Sequence, residues 1–185
     1  MKTQEETIKR CLKGDETAFN TLYHQFSSKM MVVCTRYSSD YESAQDLLQE
    51  GFIRVFQHLH QFKNEGSLEG WIRRIIVNLA LETYRKNVNL RNQAELPSEY
   101  ESEHPLSAED ILSQLNANEL LSLVQQLPPT YRLVFNLYEF EGAKHHEIAQ
   151  QLGISEGTSK SNLHDAKKLL QKWVSKLMYD NNNHI

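Results

Sequence analysis

Three groups of side chains in this sequence have the types and spacing to do chemistry on a polyanion or a charged protein surface. The first is HHEIAQQLGISEGTSKSNLHDAKKLL, residues 145–170. It reads as two helices joined at LGIS, the arrangement that lays a second helix in the major groove of DNA. Gly153 falls where the first helix must end, because a left-handed residue costs glycine little. Ile148, Ala149, Leu152 and Ile154 would form a small core under the turn, and Leu163, Ala166, Leu169 and Leu170 would return to it. Ser155 can cap the second helix, with Glu156 in its first turn complementing the helix dipole. Thr158, Lys160, Ser161, Asn162, His164 and Asp165 are expected to face largely outward, a hydrogen-bonding set suited to phosphates and base edges. Lys144 to Met178 holds six Lys against three acidic residues. A plain helical hairpin with a solvated face would carry a similar pattern.

The second group is GSLEGWIRRIIVNLALETYRK, residues 66–86. Arg73, Arg74, Arg85 and Lys86 outnumber Glu69 and Glu82, and Trp71 and Tyr84 are interleaved with them. Aromatics beside a basic track are the chemistry of single-strand binding, where bases stack and phosphates are neutralised. The same residues also suit an amphipathic helix whose Trp71, Ile72, Ile75, Ile76 and Leu79 are simply core. The third group is SAQDLLQEGFIRVFQ, residues 43–57, where Asp46, Gln49 and Glu50 lie at helical spacing opposite an apolar face. On residue chemistry alone that patch is a solvated surface.

Catalysis and metal binding find little support. HHEIAQ begins like a zinc-protease helix, but Gln150 stands where the second ligand histidine is required. The eight histidines have no metal spacing, there is no Gly-rich phosphate loop, and Cys11 and Cys34 have no histidine arranged to activate them. The two cysteines suit buried free thiols on apolar helix faces better than a disulfide or a zinc site. No catalytic residue, metal site or cofactor is expected. MKTQEETIKR has no apolar core of signal-peptide length and no window approaches a membrane span, so the chain is expected to be cytoplasmic, without direct membrane contact.

The elements that must position these groups are helical. Gly and Pro are scarce, at 7 and 4 of 185 residues, and helix formers dominate. The periodicity predicts an amphipathic start over 4–13, then a helix from about Glu16 to Tyr37 capped by Asp15. That helix has Phe19, Leu22, Tyr23, Phe26, Met30, Val33 and Cys34 on one side. A third runs from about Tyr41 to Phe62, and a fourth starts near Leu68 after the loop KNEGS. NQAELPSEYESEHPLSAED then holds six acidic residues, no Lys or Arg, and two of the four prolines. Its composition is that of a mobile or extended linker. Order resumes near Ala108, and Pro128 and Pro129 mark the start of another helix. YDNNNHI reads as a frayed tail. The expected fold is all-α: two small helical domains over 1–92 and 111–180, an acidic linker over 93–110, and a tail over 181–185, with the helix-turn-helix in the second domain.

The order of these segments is more specific than any one of them. GDETAFNTLYHQF, QDLLQEGFIRVFQ, LEGWIRRIIVNLALETYRK, LPPTYRLVFNLYEFEG and the helix-turn-helix together resemble a bacterial RNA polymerase sigma factor of the extracytoplasmic-function (ECF) type, in the sigma-70 family. That resemblance implies that Asp46, Gln49 and Glu50 dock on the clamp helices of the largest subunit of core polymerase. It implies that Asn64 to Glu69 form the loop, and Trp71, Arg73, Arg74, Asn78 and Arg85 the helix, that recognise and open the −10 promoter element and hold a flipped-out base. It implies that the second helix of the motif reads the −35 element, with Thr158 in its first turn and Lys160, Ser161, His164 and Asp165 facing the groove. Promoter DNA and core RNA polymerase are the implied partners, together with an anti-sigma factor of the kind that is often membrane-anchored. The sequence departs from the family pattern at Ser159, where an apolar Val is common, and at Asn162 and Asp165, where Arg is frequent. Those changes imply altered packing and weaker or altered −35 reading. Lys144 replaces a frequent capping Ser, which implies a less well capped first helix. A stand-alone DNA-binding regulator and a protein–protein adaptor that has lost DNA binding are the alternatives.

Overall fold

The computed structural model describes residues 4–91 and 117–182. Every regular element among them is helical: α1 (Gln4–Cys11), α2 (Glu16–Tyr37), α3 (Tyr41–His58), α4 (Leu68–Arg91), α5 (Ala117–Gln126), α6 (Pro129–Glu139), α7 (His145–Leu152) and α8 (Glu156–Asn182). The chain divides into two compact units, Met1–Glu82 and Thr83–Ile185. The linker expected over 93–110 and the start of order expected near Ala108 lie outside the described residues.

In the first unit, Asp15 ends one helix and starts the next. Its carboxylate accepts from the Thr17 and Ala18 backbone N–H groups at 2.9 and 3.2 Å and from the Thr17 hydroxyl at 2.7 Å. Arg10 closes on it from α1, with Nη2 at 2.6 Å. α2 and α3 pack through an aromatic cluster, Phe19 on Phe56 at 4.7 Å and Tyr23 on Phe52 at 4.8 Å between ring centroids. Leu22, Phe26, Met30, Cys34, Leu48, Phe52 and Val55 are all buried, as their three- and four-residue spacing requires. Cys11 and Cys34 are free and buried, as expected. α3 stops at His58, short of the expected Phe62, and the chain tightens into a 3₁₀ turn over Leu59–Gln61. α4 seats Leu68, Ile72 and Ile76 in the core. The contact between α3 and α4 is very close: a Cβ on Gly51 would sit 2.7 Å from Ile76 Cγ1.

In the second unit, Pro129 opens α6 at a position where the missing N–H is no loss. Leu133, Val134 and Leu137 from α6 pack with Ile148 and Leu152 from α7 and Leu163, Ala166 and Val174 from α8. α8 continues through Tyr179 to Asn182, where a frayed tail was expected. Helix propagation adds a backbone bond per residue, so one well-anchored core end carries several polar residues beyond it.

Candidate nucleic-acid interface

The loop before α4 is shaped by two left-handed residues, Asn64 at φ 59° and Gly66 at φ 101°. Asparagine tolerates that region better than most side chains. Ser67 then caps α4, its Oγ accepting from the Gly70 backbone N–H at 3.0 Å. Lys29 ties the first turn of α4 to α2 through Glu69, at 2.6 Å. Trp71 is half-buried against Phe62, with centroids 5.5 Å apart. It is therefore part core and part surface, between the two readings its chemistry allowed.

Trp71, Arg74, Asn78 and Arg85 recur at three-, four- and seven-residue intervals and so share one side of α4. The last three are exposed. Arg73 lies on a different flank and is half-buried, so α4 does not bring it into that row. On α3, Asp46, Gln49 and Glu50 are exposed on one face. Asp46 has no hydrogen bond or ion pair among the described residues. Glu50 is partly engaged: Arg54 lies between Glu50 at 3.3 Å and Glu82 at 2.6 Å. Ile53 completes that face at 50% exposure. It was absent from the expected set, although its seven-residue spacing from Asp46 was a usable signal.

The helix-turn-helix geometry follows from its turn. Gly153 adopts φ 69°, and its backbone N–H bonds to the Ala149 carbonyl. Ser155 Oγ accepts from the Thr158 backbone N–H at 3.0 Å and shares a 2.8 Å hydrogen bond with the Thr158 hydroxyl. As expected, Lys144 supplies no side-chain acceptor for the start of α7. Glu147 compensates from the other direction, its carboxylate accepting the Lys144 backbone N–H at 2.7 Å.

Along α8 the buried row is Ser159, Leu163, Ala166 and Val174. Ser159 is 0% exposed. Its hydroxyl lies 3.0 Å from His145 Nδ1, so a polar group in the core position finds a partner from α7. Thr158, Lys160, Ser161 and His164 are exposed, but Asn162 is not: it is 8% exposed, contrary to the outward placement expected. One helical step beside Ser159 and Leu163, it sits at the edge of the buried row rather than opposite it. Asp165 lies between these cases. It is half-buried, and the Tyr131 hydroxyl donates to its Oδ2 at 3.4 Å. Burial, followed by the Asp165 charge, pushes the Tyr131 hydroxyl pKa up, which keeps that donor protonated.

Comparison with known proteins decides the family. The model described as Sigma-70 region 2 matches residues 22–89, and that of Sigma-70, region 4 matches residues 117–170. An RNA polymerase sigma-H factor of Pseudomonas aeruginosa is 30% identical over 96% of this chain and 98% of its own length. The chain belongs to the sigma-70 family of RNA polymerase sigma factors. An ECF RNA polymerase sigma factor SigE of Mycolicibacterium smegmatis is 33% identical over 88% of this sigma factor, which spans 65% of that relative's length. Among solved structures, the sigma factor RpoE from Bartonella quintana, crystallised with the anti-sigma factor NepR, shares the fold. It has a TM-score of 0.50 and 20% identity, over 85% of this chain and 96% of its own. The region 2 match encloses the α3 patch and all of the α4 row, while the region 4 match encloses the helix-turn-helix. Among the described residues, no helix is long and apolar enough to cross a membrane. No group of three His, Cys, Asp or Glu side chains there could hold a metal ion.

Proposed function

We propose that this sigma factor docks on core RNA polymerase through the Asp46, Gln49 and Glu50 face of α3, widened by Ile53. The α4 row, Trp71, Arg74, Asn78 and Arg85 with Asn64 in the preceding loop, takes the single-stranded −10 element. Half-exposed Trp71 offers part of its ring for stacking, and the guanidinium groups neutralise phosphate. Arg73 contributes charge from the flank. Lys160, Ser161 and His164, with Thr158 in the first turn, meet the −35 duplex, and Asp165 acts at the edge of that contact. The factor directs initiation in the cytoplasm without an active site of its own, and an anti-sigma protein holds it inactive, as the complexed Bartonella relative suggests. The observation that carries this reading is the pairing, on neighbouring helices, of an exposed acidic-polar face with a row of Trp, Arg and Asn. A stand-alone duplex-binding regulator has no use for either.

The formal net charge of −4 is compatible with this role. Core polymerase supplies most of the sequence-independent, salt-sensitive affinity for DNA, so the sigma subunit needs only local basic surfaces. The test is to mix the purified chain with core polymerase, isolate the complex by size exclusion and transcribe a fragmented genomic library. A stable complex with discrete new start sites is expected. Asp46→Arg, at a side chain with no internal ion pair to disturb, should abolish complex formation while leaving the melting temperature unchanged. Absence of a wild-type complex, with the chain alone shifting duplex DNA, would replace this reading with that of a stand-alone regulator.

A further inference from the structure

Ser159 and His145 do more than fill the core of the helix-turn-helix. The His145 ring, bonded through Nδ1 to Ser159 Oγ, is stacked on Tyr138 of α6, with centroids 4.8 Å apart and planes 25° from parallel. Lys167 Nζ lies 5.8 Å from the centroid of that same Tyr138 ring and is 2.8 Å from Glu139. Two turns of α8 are thus held, one at Ser159 and one at Lys167, by a chain of contacts running through α7 and α6. The segment between them carries Lys160, Ser161 and His164, all exposed. Ser159 lies in the first turn of α8, where its backbone N–H makes a 2.9 Å bond to the Ser155 carbonyl. A movement of its side chain is therefore a movement of the helix end that approaches the bases. An apolar core side chain would anchor this turn by volume alone. A hydrogen bond anchors it in direction as well, because its strength falls steeply with misalignment.

We infer that His145 is a positioning residue for −35 recognition: through Ser159 and Tyr138 it fixes the angle and register of α8, and so the choice of −35 sequence, without touching DNA. The inference rests on the promoter-binding reading above. The imidazole serves whichever partner carries the proton, donating from Nδ1 in one tautomer or accepting the Ser159 hydroxyl in the other.

The test uses reconstituted holoenzyme and a promoter library randomised in the −35 element, with thermal unfolding of the same proteins in parallel. Ser159→Ala deletes the hydroxyl at a buried helical position that alanine suits. His145→Phe keeps a ring for Tyr138 but deletes Nδ1, and His145→Asn places a polar atom near where Nδ1 lies. Discrimination between the preferred and singly substituted −35 elements should fall about five-fold in Ser159→Ala and His145→Phe, the worth of one buried neutral hydrogen bond. The double variant should lose no more than either single one, and His145→Asn should recover most of the discrimination. Should His145→Phe fail to fold, Ser159→Ala carries the same test. Lower melting temperatures with discrimination unchanged from wild type would overturn the inference and leave these residues a structural role only. A wild-type holoenzyme that forms start sites but is indifferent to the −35 sequence would overturn the promoter reading of α8, and the inference with it.

Discussion

Gly51→Ala tests how closely α3 and α4 approach. The added Cβ would lie 2.7 Å from Ile76 Cγ1 and 3.5 Å from its Cδ1, where ordinary contact begins near the second of these distances. Ile76 is fully buried, and Cγ1 is in the middle of its side chain, so no free end can swing aside. Either Ile76 leaves its rotamer or the helices part by several tenths of an ångström. Overpacking of this kind costs about 1–3 kcal/mol. Against it stands the helix preference of alanine over glycine, about 1 kcal/mol. The net expectation is a loss of up to about 2 kcal/mol. For a domain of this size, that corresponds to a fall in Tm of up to about 8–16 °C. Trp71 reports on the first unit and Trp173 on the second. Thermal unfolding followed by fluorescence in a Trp173→Phe background therefore isolates the relevant transition. A raised Tm in Gly51→Ala would refute the close contact, and with it the fixed placement of the α3 patch beside the α4 row.

Three further outcomes are expected. The Thr17 hydroxyl and the Arg10 guanidinium hold the Asp15 carboxyl at about 2, below its ordinary 3.8. A depressed carboxylate stabilises the fold above its unfolded pKa and loses that contribution as pH falls through the folded value. The Tm advantage of wild type over Asp15→Asn should thus be constant near neutrality and close between about pH 4 and 2; a gap that persists at pH 2 would contradict the assignment. Burial pushes the Cys34 thiol up to about 12, and burial, with the Asp15 charge, raises Cys11. Neither should react with a thiol-specific disulfide reagent at pH 8 until denaturant is added, so rapid colour release from the native chain would count against the packing of both. Asp165→Asn removes a negative charge while leaving an acceptor for Tyr131, and should tighten −35 duplex binding a few-fold for all sequences alike, since a part-exposed charge is worth at most about 1 kcal/mol. A loss confined to sites with one particular cytosine would show instead that Asp165 accepts from its N4 amine.

Much of the helical framework was legible because its signals are local. Asp15 before an amphipathic run located the start of α2, and Gly153 followed by Ser155 located the turn of the helix-turn-helix. The buried side of α8 was harder to read, since its row begins with a polar residue. Leu163 and Ala166 announce a core that Ser159 shares by position, but the partner that lets its hydroxyl be buried is His145, fourteen positions earlier. Asn162 misled for a related reason: residue type argued for solvent, while its angular position beside Ser159 and Leu163 decided for burial. The half-burial of Asp165 likewise came from another helix, where Tyr131 meets its carboxylate. Gly51 left no trace in the pattern, because a close approach of two helices depends on the facing residue, and Ile76 lies twenty-five positions away. The site residues followed the same division. The family resemblance grouped Trp71, Arg73, Arg74, Asn78 and Arg85 without separating their flanks, whereas half-burial of Arg73 and the sharing of Glu50 with Arg54 came from tertiary neighbours.

α8 is a single helix of 27 residues. At 1.5 Å per residue, about 36 Å separates Thr158 from Asn182 along one axis. Such a rod converts rotation at one end into displacement at the other. A tilt of about 10° at the anchored turn would carry its far end through roughly 6 Å, a movement within the range of distance measurements between attached labels. Tyr179, exposed near that end, is a place for one label, with its mate on α6. The orientation of the turn that carries Thr158, Lys160 and Ser161 could then be followed in solution with nothing attached to that turn.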